Sequence, residues 1–121
     1  MKLKYSLIVI AVIVIIAVFA FYEPNNIKKY PYFVYTDGLS FSGYVFADEH
    51  NDILIQFDCY CGCYNHIGHA NLRDCFIFKG NFESHASYCD VCKALNQKIQ
   101  KGIKDGKTID TIKNKLELEY L

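Results

Sequence analysis

Between residues 5 and 22 the chain reads YSLIVIAVIVIIAVFAFY, free of charge and with Ser6 as its one polar break. At 1.5 Å rise per residue, about 18 residues reaches the lower limit for a membrane-spanning helix. Ile and Val are poor helix formers in water, but in lipid a helix satisfies its own backbone, so composition decides. Tyr5, Phe21 and Tyr22 fall where aromatic residues anchor a span at its two interfaces. Lys2 and Lys4 precede the run, and Glu23, Lys28 and Lys29 follow it. The positive-inside bias therefore predicts a cytoplasmic N-terminus. A cleaved signal peptide, with Val18-Phe19-Ala20 as its small-residue site, fits the same run. Either way the rest of the chain is expected outside the cytoplasm. The expected location is the cell membrane, as a single-pass protein with an extracytoplasmic C-terminal domain. No cysteine follows the run, so a lipid attached there is not expected.

Beyond this anchor (1–22) the pattern changes to mixed polar and apolar positions. Residues 23–38 read as a juxtamembrane linker, in which Pro24 and the Asn pair stop the helix and Pro31 favours an extended path. Asp37-Gly38 marks a turn. Ser40 or Ser42 can then cap a helix through roughly His50, with Phe41, Tyr44, Val45 and Asp48 near one face. Ile53-Leu-Ile-Gln-Phe57 alternates as a strand would, while Asp52 can equally cap a short helical turn. From Asp90 to Lys104, Val91, Leu95, Ile99 and Gly102 or Ile103 recur at three to four residues and predict a helix with one apolar stripe. Asp105-Gly106 ends it. Thr108 caps a last helix whose stripe is Ile109, Ile112, Leu116 and Tyr120. A connection this short predicts an antiparallel helical hairpin. Its lysines (Lys98, Lys101, Lys104, Lys113, Lys115) read as a solvated face.

The sequence thus predicts a mainly α protein: an N-terminal transmembrane helix plus a small α-helical, cysteine-rich domain over 39–121. At 121 residues, with the anchor removed, the core is small, and such domains commonly need disulfides, a metal or a partner. The 13 basic and 13 acidic residues balance and form no basic stripe. No nucleic-acid partner is expected, since phosphate binding needs clustered Lys and Arg.

The candidate chemistry lies between Cys59 and Cys92, which hold all six cysteines and three of the four histidines. In an extended segment, residues two apart share a face, so Cys59, Cys61 and Cys63 can all point at one ion. Gly62 lets the backbone fold closely around it. Disulfides at that spacing are strained, whereas clustered thiolates suit Zn(II) or Cu(I). Cys89 and Cys92 open the predicted helix, where the helix dipole favours thiolate. His85 precedes Cys89 by four residues and can complete a chelate. His66 and His69 are three apart, on one face if that segment turns helically. His66 alone reads as a surface residue.

Two other classes compete. Six cysteines in an extracytoplasmic domain also read as three disulfides, giving a stapled interaction domain that meets another envelope protein through its aromatic surface. Cys89-x-x-Cys92 can form a thiol–disulfide redox pair, although the βαβ context of thioredoxin-like proteins is missing. No Gly-rich phosphate loop, Gly-x-Ser-x-Gly elbow or His-Glu-x-x-His helix occurs, so no enzyme is expected.

The run Tyr44-Val-Phe-Ala through Cys59-Tyr-Cys-Gly-Cys63, then Gly68-His69, Asn71, Asp74-Cys75-Phe76-Ile77, His85 and Cys89-x-x-Cys92, resembles the PCYCGC-motif protein family. Its members are typically exported, membrane-tethered bacterial proteins, often lipoproteins, and the family brings no established activity. The resemblance implies the ligand set Cys59, Cys61, Cys63, His69, Cys75, His85, Cys89 and Cys92, and leaves His66 out. Two departures stand out. Asp58 occupies the place of the family's proline, where a carboxylate can add a hard ligand or cap a turn, and the anchor lacks a lipid-bearing cysteine. The expectation is a membrane-tethered domain binding Zn or Cu at a thiolate–imidazole centre.

Overall fold

A computed structural model describes residues 2–22 and 29–121. The first helix, α1 (Lys2–Phe21), is exposed from Lys4 to Phe21 apart from the half-buried Ala17. Its 18-residue window Lys4–Phe21 has a mean hydropathy of 2.7, long and apolar enough to cross a membrane. A signal sequence meets the same description. The helix stop expected at Pro24 and the Asn pair, and the flanking Glu23 and Lys28, lie outside the described residues.

The remaining chain is helical, as the pattern predicts, with one small hairpin. Pro31 does not lead into an extended path: Tyr32–Tyr35 forms a 3-10 turn, closed by Val34 N donating to Pro31 O at 3.1 Å. Val34 and Tyr30 are buried, so part of the segment read as linker contributes to the core. Helix α2 (Gly38–Glu49) is capped by Asp37 rather than by Ser40 or Ser42. The Asp37 carboxylate accepts from Ser40 N at 2.7 Å and from the buried Lys93 ammonium at 3.0 Å. The cap moves upstream because an Asp at that position finds both a backbone and a side-chain donor. The buried face shifts with it, to Ser40, Gly43, Tyr44 and Ala47 instead of Phe41, Tyr44, Val45 and Asp48.

Helix α3 (Asn51–Leu54) resolves the ambiguous apolar stretch as a helical turn, with Leu54 and Phe57 buried. Helix α6 (Asp90–Lys104) has the predicted bounds and buries Leu95, Ile99 and Gly102. Thr108 caps α7 (Ile109–Tyr120) by accepting from Thr111 N, and Ile112 and Leu116 are buried. The two helices run antiparallel. A Cβ on Gly102 would lie 2.7 Å from Ile112 Cγ1, which is why a glycine stands there. At the other end Lys98 pairs with Glu119 and lies 4.8 Å over the Tyr120 ring. Lys98 is thus half-buried rather than part of a solvated face; Lys101, Lys104 and Lys115 are exposed.

Helix α2 packs on α6 through Asn96, fully buried, whose Nδ2 donates to Gly43 O at 3.1 Å. Phe76 and Tyr44 meet edge to face at 5.1 Å beside it. Strands β1 (Ile77–Phe78) and β2 (Asn81–Phe82) pair antiparallel with Phe78 opposite Asn81. The two-residue loop Lys79-Gly80 has positive φ at both positions (51° and 80°), as a tight hairpin turn requires. This hairpin carries Phe82 against Tyr30 and Phe78 against His69.

Candidate metal centre

The cysteine loop is closed at its base by Leu72 N donating to Phe57 O at 2.8 Å. Within it, residues 59–62 turn rather than extend, and Gly62 at φ 81° hands the chain into helix α4 (Cys63–Ile67). A Cβ at Gly62 would meet nothing within 4 Å, so the glycine stands there for its left-handed backbone rather than for close packing against protein atoms. Gly68, at φ 79°, ends α4 the same way. This left-handed exit separates the two histidines: His66 is exposed on α4, while His69 is 1% exposed. They do not share a face.

A 3-10 turn, Leu72–Cys75, follows, with Asn71 as its cap. The nearly buried Asp74 carboxylate fixes it by accepting from Ala70 N at 2.9 Å and Arg73 Nη2 at 2.8 Å. Cys75 is thereby presented inward. Helix α5 (His85–Tyr88) supplies His85, Cys89 is the N-cap of α6, and Cys92 is buried in its first turn. Tyr60 stacks on Tyr120 at 5.3 Å and 8° between ring planes, tying the cysteine loop to the end of α7.

These elements bring all six sulfurs together. Cys59 Sγ lies 3.1 Å from Cys61, 3.3 Å from Cys75 and 3.4 Å from Cys92. Cys61 is 3.7 Å from Cys92 and 3.6 Å from His85 Nε2, and Cys63 is 3.5 Å from Cys75. All six are free thiols. Among the described residues, three sets of four donors lie within 4.8 Å of one another: Cys59, Cys61, Cys75, Cys92; Cys61, His85, Cys89, Cys92; and Cys61, Cys63, Cys75, His85. No set takes Cys59, Cys61 and Cys63 together; Cys63 joins Cys61, Cys75 and His85.

The donors fit a soft or borderline cation. Four sulfurs about 2.3 Å from a tetrahedral zinc stand about 3.8 Å apart, close to the separations seen here. His69 is in none of the three sets. Its ring nevertheless lies 5.5 Å from that of His85, and both its nitrogens are buried without a hydrogen-bond partner. Buried orphan nitrogens are rare and costly. Asp58 is exposed and joins no set.

The electrostatics follow from crowding thiols in a dry volume. Hydrogen bonds from Cys75 and Cys92 hold the Cys59 thiol far below its usual range. The hydrogen bond to Cys59 and then burial act on Cys75, and those to Cys59 and Cys75 on Cys92, so both are pushed well up. Burial raises Cys61 and Cys63. Burial, then the charge of His85, lowers His69 and keeps it an unprotonated donor. The cluster therefore holds one thiolate easily and further ones only with a cation, which would deprotonate the others on binding.

No curated protein and no solved structure matches the chain. A family profile described as "Protein of unknown function with PCYCGC motif" matches residues 25–121. That span includes the whole cysteine loop, both C-terminal helices and every donor named above, and the chain belongs to the PCYCGC-motif family.

Proposed function

We propose that this is a membrane-anchored, extracytoplasmic protein that binds, stores or hands over a transition metal, with Zn(II) and Cu(I) as the candidate ions. The observation that carries the reading is the convergence of Cys59, Cys61, Cys75 and Cys92, four sulfurs within 4.8 Å of one another from three separate segments. In a stapled domain each sulfur needs one partner. Here Cys59 has three sulfur neighbours within 3.4 Å, the sharing that a coordination polyhedron requires and a disulfide does not use.

The orphaned nitrogens of His69, next to His85, add a nitrogen reserve to the sulfur set. The role is binding rather than turnover. Lys4 before the apolar run, and the run itself, support an anchor that keeps the site at the outer membrane surface.

The test is metal binding by the reduced full-length chain in detergent, compared with a variant carrying Ser at 59, 61 and 63. The wild type should bind Zn(II) or Cu(I) far more tightly. Equal binding by the two would sink the reading. Alkylation under non-reducing conditions distinguishes the stapled alternative: a metal site releases thiols on chelation, and three disulfides release none.

A further inference from the structure

Resting on that metal-binding reading, we infer that the cluster is a polynuclear centre in which Cys61 is a bridging thiolate shared between two ions. The three four-donor sets overlap, and Cys61 is the one residue common to all of them. The four-sulfur set makes one complete tetrahedral site. The set Cys61, His85, Cys89 and Cys92 makes a second site that adds His85 and Cys89 and shares Cys61 and Cys92 with the first; no set holds Cys63 together with Cys89. Cys61 joins the two sites, since its sulfur lies 3.6 Å from His85 Nε2 and falls in both sets that contain His85.

The chemistry of the donors decides which residue is shared. A thiolate sulfur has lone pairs for two cations, while each imidazole nitrogen has one. His85 occurs in two sets but is a terminal ligand in either; among the thiolates Cys75 and Cys92 occur in two sets and Cys61 in all three, which makes Cys61 the bridge. His69 stands outside every set, and its unpartnered nitrogens beside His85 remain a reserve.

Charge points the same way. One divalent ion on Cys59, Cys61, Cys75 and Cys92 leaves two negative charges in a largely buried volume, and a second, which adds only Cys89 as a new thiolate, leaves one. The cations nearest in sequence are already engaged: Arg73 with Asp74 at 2.8 Å, and Lys93 with Asp37 at 3.0 Å and Asp90 at 3.2 Å. Uncompensated buried charge is expensive. A second metal ion supplies the compensation from within the cluster.

The experiment loads the reduced full-length chain in detergent micelles with a single spin-half isotope of cadmium, a thiolate-seeking stand-in for zinc, and records metal content and cadmium NMR. The expected result is at least two ions per chain, with resonances split by coupling through a shared sulfur. Cys61→Ser should lower the content by one ion and abolish the splitting, while Tyr64→Ala, an exposed change outside the donor sets, should leave both unchanged. One ion per chain, or two resonances without coupling, would overturn the bridge and leave the metal reading standing. No cadmium bound by the wild type would overturn both. The wild-type spectrum decides the question even if Cys61→Ser fails to fold.

Discussion

Gly43 is the position where the fold and the site are most tightly joined. A Cβ there would stand 2.7 Å from Phe76 Cε1 and 3.3 Å from Cζ. Ordinary carbon contacts lie at about 3.5–4.0 Å, so Gly43→Ala forces the ring back by roughly 1 Å. Phe76 is fully buried with Tyr44 across its face, so the ring has little room to turn. Overpacking of this kind costs about 1–3 kcal/mol, against which Ala gains about 1 kcal/mol in helix propensity over Gly. With overpacking near the middle of that range, about 2 kcal/mol, the expected net loss is about 1 kcal/mol, or roughly 4–8 °C in Tm for a domain of this size. Because Phe76 follows Cys75, whose sulfur lies 3.3 Å from Cys59, metal affinity should fall as well. Thermal unfolding followed by helical circular dichroism, with and without saturating metal, measures both effects. Gly38→Ala is the control, since its Cβ would meet nothing within 4 Å; it should be neutral or gain a few tenths of a kcal/mol, roughly, from the stiffer unfolded chain. If Gly43→Ala is as stable as Gly38→Ala, the close approach of α2 to Phe76 is wrong.

Asp37→Ala removes the cap of α2 and one partner of Lys93, for a loss of about 1–2 kcal/mol by denaturant titration. The hydrogen bond from Ser40 N and then the Lys93 ammonium hold the Asp37 carboxyl below its ordinary 3.8. Its stabilisation is therefore fully present above that value and lost as pH falls below about 4; a pH titration of Asp37→Ala should lack this component of the acid loss. Asp74→Ala leaves Ala70 N without its acceptor and frees the turn that presents Cys75, costing about 1–3 kcal/mol; amide exchange at Ala70 should rise first, and an unchanged rate would refute that role. Metal uptake should release protons, because Cys61, Cys75 and Cys92 are held as neutral thiols until a cation displaces their protons. Zinc affinity should accordingly weaken as pH falls, and proton release in weakly buffered solution counts the thiols involved.

Much of the scaffold was legible because its signals are local. The stripes of α6 and α7 repeat at the helical period, Thr108 caps where it is expected, and the charge-free run from Tyr5 forms a helix. The cap of α2 was misplaced because Asp37 and Ser40 both suit an N-cap, and only the position of Lys93, 56 residues away, favours the first. The β1–β2 hairpin was missed because Lys-Gly is a weaker turn signal than Asn-Gly or Asp-Gly. An Ile-Phe and an Asn-Phe flanking it were the available cue.

The sequence by itself determined the donor inventory, an apolar helix long enough to cross a membrane, and the helices after it, because composition and short periodicities are read residue by residue. Only the tertiary structure decided which donors meet. Cys59 finds Cys75 and Cys92 at sequence separations of 16 and 33, distances set by the Leu72–Phe57 hydrogen bond, the buried Asp74 and the packing of α6. The same packing buried His69, left His66 in solvent and set Cys63 beside Cys75. Spacing in the chain fixes what a loop can offer. The contacts that close the loop fix where each sulfur points.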